Sequence, residues 1–178
     1  MQSVMDEFLD AWEKYGSDPL VWRQYVFAEA AHRDYLLNLK AEREEGREEA
    51  GRKIAFNLRE QGILTDEQIA QVVNLPVEPI EFIDPLGGFI PMEERRNNIA
   101  EEIRRLEELY QSSFGHMKQY YESELVSKKY VLDLVEQKLQ GVKDAQEETA
   151  SKLRSQGLLT DEQISQAVDV QLYVEEEY

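Results

Sequence analysis

The chain has 178 residues, a net charge of −17 and no cysteine. The acidic balance argues against a protein that binds the nucleic-acid backbone, since such binding needs Lys and Arg to neutralise phosphates. The lack of cysteine excludes disulfide and thiolate chemistry. No run approaches 18 consecutive apolar residues and the N-terminus has no signal-peptide pattern, so we expect no membrane span and a cytoplasmic location.

An amphipathic helix is predicted near the N-terminus by an apolar stripe that ends before Gly16. The stripe consists of Met5, Phe8, Leu9, Trp12 and Tyr15. A second helix is predicted to start with Asp18 as the N-cap and Pro19 at the first helical position, where the missing N–H does no harm. The next strong stop signal is Gly62, so we expect one long helix over residues 19–61.

The motif REQGILTDEQIAQ, which begins at Arg59, predicts a corner: a helix end, a tight turn and a new helix start. Glycine readily adopts the left-handed backbone conformation of the residue that ends a helix. A threonine followed three residues later by a glutamine has the spacing of a capping box at the start of the next helix. The corner residues are Gly62, Thr65, Gln68 and Ile69. The new helix is expected to end at about Val73, and residues 81–93, rich in Gly and Pro, are expected to be a linker.

The same motif returns 95 positions later as RSQGLLTDEQISQ, and ten of its thirteen pairs are identical. This offset aligns residues 19–75 with residues 114–170 without a gap, and 21 of the 57 pairs are identical. We therefore predict a tandem duplication, with a first repeat at 1–80 and a second at 94–178. The second long helix should span about 114–156, with Ser113 as its N-cap. The second corner consists of Gly157, Thr160, Gln163 and Ile164.

The fold class predicted from these patterns is all-α, because no segment alternates as a strand does. We expect an elongated protein of two helix–long helix–short helix units that form a pseudo-twofold helical assembly. Each long helix has one narrow line of small and apolar side chains, which cannot be buried by that helix alone. The long helices should therefore cross along these lines. The line residues are Gly46, Ala50, Ile54 and Leu58 in the first helix and Gly141, Ala145, Thr149 and Leu153 in the second.

The stretch EREEGREEAGRKIAFNLREQGILTDEQIAQVVNL, with SDPLVWRQYVFAEAAHRDYLLNLK before it, resembles the C-terminal helical tail of the Rpn family of recombination-promoting nucleases. The resemblance covers about residues 17–75 well and residues 113–170 weakly. Members of that family carry an N-terminal nuclease domain of the PD-(D/E)XK type, and no such domain precedes the tail in this sequence. Pro76 and Pro79 also depart from the helix-forming end that is usual for the tail.

We predict no catalytic residues, no metal ligands and no cofactor. His32 and His116 are the only histidines and do not occupy equivalent repeat positions, while the nuclease-like Glu136-Gln137-Lys138 lies within a predicted helix. The corner could open a helix-turn-helix, but no basic residue lies between Leu64 and Asp84 to read DNA. Aromatic residues are core candidates first and also suit an interface. They are Trp12, Trp22, Tyr25, Tyr35, Tyr120, Tyr121 and Tyr130.

The function favoured by these observations is a non-catalytic helical module that associates with a protein partner or with itself, without direct contact to nucleic acid or membrane. The resemblance implies a sharper hypothesis: an inhibitor or antitoxin-like partner of an Rpn-type nuclease, in phage defence or counter-defence. Two alternatives stay open. One is an acidic decoy that imitates nucleic acid and blocks a basic cleft of a defence nuclease or CRISPR effector. The other is a self-assembling scaffold.

Overall fold

A computed structural model describes residues 11–16, 18–75, 89–171 and 173–175. The helices are α1 (Pro19–Gln61), α2 (Asp66–Val73), α3 (Met92–Ser112), α4 (His116–Gln156) and α5 (Asp161–Val168), and residues 11–15 are also helical. The predicted all-α class is confirmed. One short antiparallel ladder accompanies the helices, formed by β1 (Phe89–Pro91) and β2 (Tyr173–Glu175), in which Phe89 lies opposite Glu175. The chain divides into an N-terminal unit, Met1–Asn38, and a C-terminal unit, Leu39–Tyr178.

The first long helix begins and ends where the sequence predicts. Asp18 is its N-cap, because the Asp18 carboxylate accepts a hydrogen bond from the backbone N–H of Leu20 at 2.8 Å. This bond satisfies one of the donors that a helix start leaves without a partner. In the helix predicted before it, Met5, Phe8 and Leu9 lie outside the described residues.

The second long helix starts later than predicted, and the prediction that Ser113 is its N-cap is wrong. Ser113 is the C-cap of α3, and its hydroxyl donates a hydrogen bond to the carbonyl of Tyr110 at 3.0 Å. Gly115, with φ +57° and ψ −132°, then precedes α4. The reason is that α3 continues to Ser112, so the chain reverses in a tight turn whose last residue needs the conformational freedom of glycine.

The tightest part of the core lies where the long helices end and the short helices pack on them. Its largest fully buried side chains are Ile54, Leu58, Ile69, Val72, Leu153 and Ile164. Helix α2 contacts α4. Helix α5 contacts α1, where the Asn57 side chain donates a hydrogen bond to the carbonyl of Ala167 at 3.0 Å. Each fully buried aliphatic side chain contributes roughly 1.5–3 kcal/mol relative to an exposed one, so this four-helix junction is a major source of stability.

Helices α3 and α4 form a hairpin that covers a second face of α4. Ile99 and Ile103 of α3 are buried with Leu139 of α4 in one hydrophobic cluster. At the surface of the hairpin, the Lys128 ammonium lies 2.6 Å from the Glu102 carboxylate. Helix α4 is therefore buried on the side that faces α3 as well as on the side that faces α1.

The predicted boundaries fall partly beyond the described part of the chain. Of the predicted linker, residues 81–88 lie outside it, residues 89–91 form β1, and α3 already begins at Met92. The repeats at 1–80 and 94–178 and their pseudo-twofold arrangement stay predictions. The compact units divide the chain at a different place, between Asn38 and Leu39.

Candidate protein interaction surfaces

The two long helices run parallel to each other where they cross in the C-terminal unit. The Arg43 guanidinium lies 2.8 Å from the Asp144 carboxylate. One turn later Arg47 forms an ion pair with Glu148. Because both partners advance by four residues in the same direction, α1 and α4 must be parallel at this point.

Two glycines bring the backbones of these helices into direct contact. A Cβ atom added to Gly46 would lie 2.1 Å from the carbonyl oxygen of Lys138, and one added to Gly141 would lie 1.9 Å from the carbonyl oxygen of Arg43. Real Cβ atoms do not approach a carbonyl oxygen so closely, and therefore only glycine fits either position without a shift of the backbone. The two contacts are reciprocal, since Lys138 is the repeat equivalent of Arg43.

The eight line residues predicted at the helix crossing are all buried in the structure. They are Gly46, Ala50, Ile54, Leu58, Gly141, Ala145, Thr149 and Leu153. Ala50 and Ile54 have no exposed surface, and Thr149 is 3% exposed. This surface is occupied within the chain, so it is not available to a separate partner.

Ion pairs flank the crossing, and the sequence interpretation missed them. The Lys138 ammonium lies 2.8 Å from the Glu45 carboxylate and 3.0 Å from that of Glu49. A signal for them was present, because positions 43 and 138 are both basic and positions 49 and 144 are both acidic. Lys138 of the nuclease-like triplet is thus a partner of two carboxylates across the crossing.

In these ion pairs the pKa values of Lys138, Glu45 and Asp144 are shifted in the direction that keeps each group charged. Burial disfavours the charged Lys138, but hydrogen bonds to Glu45 and Glu49 outweigh it and raise the pKa of the ammonium. The hydrogen bond from Lys138 lowers the pKa of Glu45, and that from Arg43 lowers the pKa of Asp144. Partly exposed ion pairs contribute only about 0–1 kcal/mol each to the free energy of unfolding. We therefore infer that these pairs align the two helices and add little to stability.

Both corners contain complete capping boxes. The Gln68 N–H donates to the Thr65 hydroxyl at 3.3 Å, and the Thr65 N–H donates to the Gln68 side chain at 2.9 Å. The second corner repeats both distances between Thr160 and Gln163. The glycines of the corners have φ +65° at Gly62 and +66° at position 157. Ile69 and Ile164 are 2% and 1% exposed. The corners therefore hold the short helices onto the core.

The aromatic candidates in the N-terminal unit mostly contact one another. The rings of Trp12 and Trp22 meet edge to face with centroids 5.1 Å apart, and those of Tyr15 and Tyr25 stack at 5.1 Å. Such pairs contribute about 0.5–1.5 kcal/mol beyond the area they bury, so they attach residues 11–16 to the start of α1. Trp12 nevertheless remains 52% exposed.

The other aromatic candidates lie further along the two long helices. Tyr120 is exposed, and its ring centroid lies 5.5 Å from that of the half-buried Tyr121. Tyr35 is half-buried, 6.4 Å between ring centroids from His32, which is exposed. Tyr130 is half-buried and His116 is exposed at the first position of α4.

A set of exposed aliphatic and aromatic residues at the start of α1 was not identified from the sequence. They are Leu20, Val21, Val26, Phe27, Leu36 and Leu37. Leu20 is 72% exposed and Phe27, seven residues later on the same side, is 62% exposed. The six residues do not lie on one stripe of the helix, and only the structure shows that they face solvent.

Among the described residues, no three His, Asp or Glu side chains converge in a way that could hold a metal ion. None of the described helices is long and apolar enough to cross a membrane. Comparisons of the chain with protein families, with curated proteins and with solved structures find no match.

Proposed function

We propose that the chain is a non-catalytic helical module that binds another protein through the apolar side chains at the start of α1. The observation that carries this proposal is the exposure of six large apolar residues within 18 positions, from Leu20 to Leu37. Contiguous exposed apolar surface is typical of protein interfaces, and Leu20 and Phe27 are large, highly exposed and on one side of α1. The crossing surface, by contrast, is already used within the chain.

The expected partner has a basic rim around an apolar surface, because the chain has a net charge of −17. Complementary charge accelerates association and excludes acidic competitors. The resemblance of residues 17–75 to Rpn tails supports a nuclease of that family as the partner, which the chain would restrain as an inhibitor or antitoxin-like subunit. This step depends on the resemblance alone.

Two triple variants test the proposal. The first replaces exposed residues of α1 by Leu20→Gln, Phe27→Gln and Leu37→Gln. The control replaces three exposed residues of the C-terminal unit by Leu109→Gln, Met117→Gln and Val126→Gln. Both sets keep the charge and lie on exposed sites, so thermal unfolding should show both proteins folded.

Each tagged protein is then used to isolate partners from the native host, and the co-purified proteins are identified by mass spectrometry. We expect a protein that is retained by the wild type and the control and lost by the α1 variant. A partner retained equally by all three proteins would show that the α1 surface does not bind it. Light scattering tests the scaffold alternative. In that case the wild type forms assemblies of high mass, and the α1 variant has a lower mass than the wild type.

The acidic decoy remains a second candidate because of the net charge of −17. A decoy needs spaced carboxylates instead of apolar side chains, so the α1 variant should still bind the target. Its affinity should fall steeply between low and physiological salt. The α1 surface predicts the reverse result, loss of binding in the variant with only a moderate dependence on salt.

We also expect no cleavage of DNA or RNA by the purified protein with Mg²⁺ or Mn²⁺. The nuclease-like triplet lies within α4, where Lys138 is engaged by Glu45 and Glu49. Gel analysis of the wild type and of Lys138→Ala tests this expectation. Cleavage by the wild type that disappears in the variant would contradict the non-catalytic proposal.

A further inference from the structure

The side of α1 that carries Leu20 and Phe27 is a broad exposed face. Leu20, Val26, Phe27 and Leu37 are 72%, 45%, 62% and 64% exposed. At 3.6 residues per turn, these four side chains leave α1 within about 120° of its circumference. The tryptophan and tyrosine rings of α1 that contact residues 11–16 lie outside this range. The exposed face is therefore distinct from the side of α1 on which residues 11–16 pack.

The exposed face follows a heptad pattern. Its first positions are Leu20, Phe27 and Asp34, and its fourth positions are Arg23, Ala30 and Leu37. All six residues are exposed, and we call them the α1 seam. The Arg23 guanidinium lies over the Phe27 ring, 5.4 Å from its centroid, which keeps the guanidinium on this side of the helix. Because first and fourth heptad positions form the contact line of two-stranded coiled coils, the α1 seam fits a second helix.

The α1 seam is complementary to itself when two copies of the helix run antiparallel. One register matches the opposing residues in polarity, in size and in charge. The opposing residues are Leu20 with Leu37, Phe27 with Ala30, and Arg23 with Asp34. A twofold axis between the helices repeats each of these contacts, so every position of the seam has a matching position in the other copy.

Charge favours this antiparallel arrangement over a parallel one. A parallel pair would place Arg23 opposite Arg23 and Asp34 opposite Asp34, and like charges that face each other in an interface oppose association. Between positions 20 and 37, Arg23 and Arg33 balance Glu29 and Asp34. This segment therefore adds no net charge to the repulsion between two copies, although the whole chain carries −17.

We propose that the α1 seam pairs with the α1 seam of a second copy of this chain, as a twofold antiparallel coiled coil. Because both copies use the same surface, the contact closes at a dimer and does not propagate into a scaffold. The inference rests on the proposed function, since it names an occupant for the same α1 side chains. A protein partner that binds there has to displace the second copy.

Sedimentation equilibrium of the full-length protein tests the association. From Leu20 to Leu37 the seam is only about 27 Å long, so we expect a dissociation constant of about 1–100 μM. The mass should rise with concentration from the 20.8 kDa of one chain toward twice that value. Arg23→Glu and Asp34→Arg each place like charges opposite each other, and each should weaken the dimer at least about tenfold.

A matched control and a charge exchange separate the seam from general effects. Arg104→Glu lies on an exposed site of α3 and changes the net charge as Arg23→Glu does, so its dimer should stay within about twofold of the wild type. An equimolar mixture of Arg23→Glu and Asp34→Arg brings opposite charges together again. The double variant with both substitutions does the same within one protein. Both should dimerise as the wild type does, and thermal unfolding checks that each single variant is folded.

Disulfide cross-linking reports the direction of the two helices, because the chain has no native cysteine. An equimolar mixture of Leu20→Cys and Leu37→Cys should form a cross-linked dimer on oxidation. Either variant alone should not, since the antiparallel register separates the two copies of each position by about 25 Å. Cross-linking of Leu20→Cys to itself would contradict the antiparallel register.

The inference also fails if the wild type keeps the mass of one chain up to about 500 μM. Wild-type dimerisation of both single charge variants, or no recovery in their mixture and in the double variant, would overturn it as well. These results are independent of partner capture. If the partner is captured and the chain does not dimerise, only the inference fails. If the chain dimerises through the seam and no partner depends on α1, only the proposed function fails.

Discussion

Glu44 and Arg47 in the first long helix occupy the positions that Leu139 and Val142 occupy in the second. Glu44 is exposed, whereas Leu139 is 8% exposed under the start of α3. At the neighbouring face, where the two helices meet, both copies keep glycine and alanine at equivalent positions. The two long helices therefore resemble each other on the face where they meet and differ on the face whose neighbours differ.

The difference shows that the side chains on each face of a long helix match what packs against that face. A covered face must be apolar, because a charged group buried without a partner costs several kcal/mol. Charged side chains on an exposed face stay hydrated, so they increase solubility without the cost of burying a charge.

Exchanging one residue between the copies should have the largest effect. Leu139→Glu removes a buried side chain and buries a carboxylate, so we expect the free energy of unfolding to fall by about 3 kcal/mol or more. The reverse change, Glu44→Leu, lies on an exposed site and should alter it by less than about 0.5 kcal/mol. Urea unfolding of both variants measures this. Similar losses in the two proteins would mean that the faces do not differ as described.

The glycine contacts give the next largest effect. Gly46→Ala and Gly141→Ala each place a methyl group against the backbone of the other helix, so we expect a loss of about 2–3 kcal/mol per site. Alanine is otherwise favoured over glycine in a helix by about 1 kcal/mol.

Gly51→Ala is the matched control for the glycine variants. Its new Cβ would lie 2.9 Å from Cδ1 of Leu75, the end of a side chain that can move. We expect this variant to be as stable as the wild type or more stable. Melting temperatures that rise in all three variants would refute the close crossing.

Enlarging the alanines tests the same crossing less severely at each site. Ala50 and Ala145 are 0% and 7% exposed, so the double variant Ala50→Leu with Ala145→Leu should lose about 1–3 kcal/mol per site by overpacking. Ala41→Leu on an exposed site of α1 is the control, since leucine is nearly as good a helix former as alanine. Thermal unfolding and light scattering measure the melting temperature and the mass of the double variant. If both equal those of the wild type, this face is exposed to solvent and the crossing is not formed as described.

Substitutions of the capping threonines at the corners should have the smallest effect on the free energy of unfolding. Thr65→Ala and Thr160→Ala each remove a cap, and each should lower the free energy of unfolding by about 1 kcal/mol. Because the hydrogen-bond distances in the two boxes are the same, the two losses should be similar. Unchanged unfolding midpoints in both variants would show that the boxes do not stabilise the corners.

Helix bounds and corner chemistry could be predicted from the sequence because they depend on neighbours within four residues. The capping of α1 by Asp18 and the end of α2 after Val73 both follow from local hydrogen bonding and helix stop signals. The start of α4 could not, since Ser113 is a good N-cap residue for one helix and a C-cap for another. Which role it takes depends on where α3 ends, and local propensity does not determine that.

The sequence by itself determined the all-α class, the internal similarity between its two halves and the small residues on one line of each long helix. These features follow from periodicity, capping and comparison of the two copies. Only the tertiary structure decided that Lys138 pairs across the crossing, that α3 covers Leu139, and that Phe27 faces solvent. The physical reason is that periodicity identifies the apolar face of a helix, whereas burial depends on which other element packs against it.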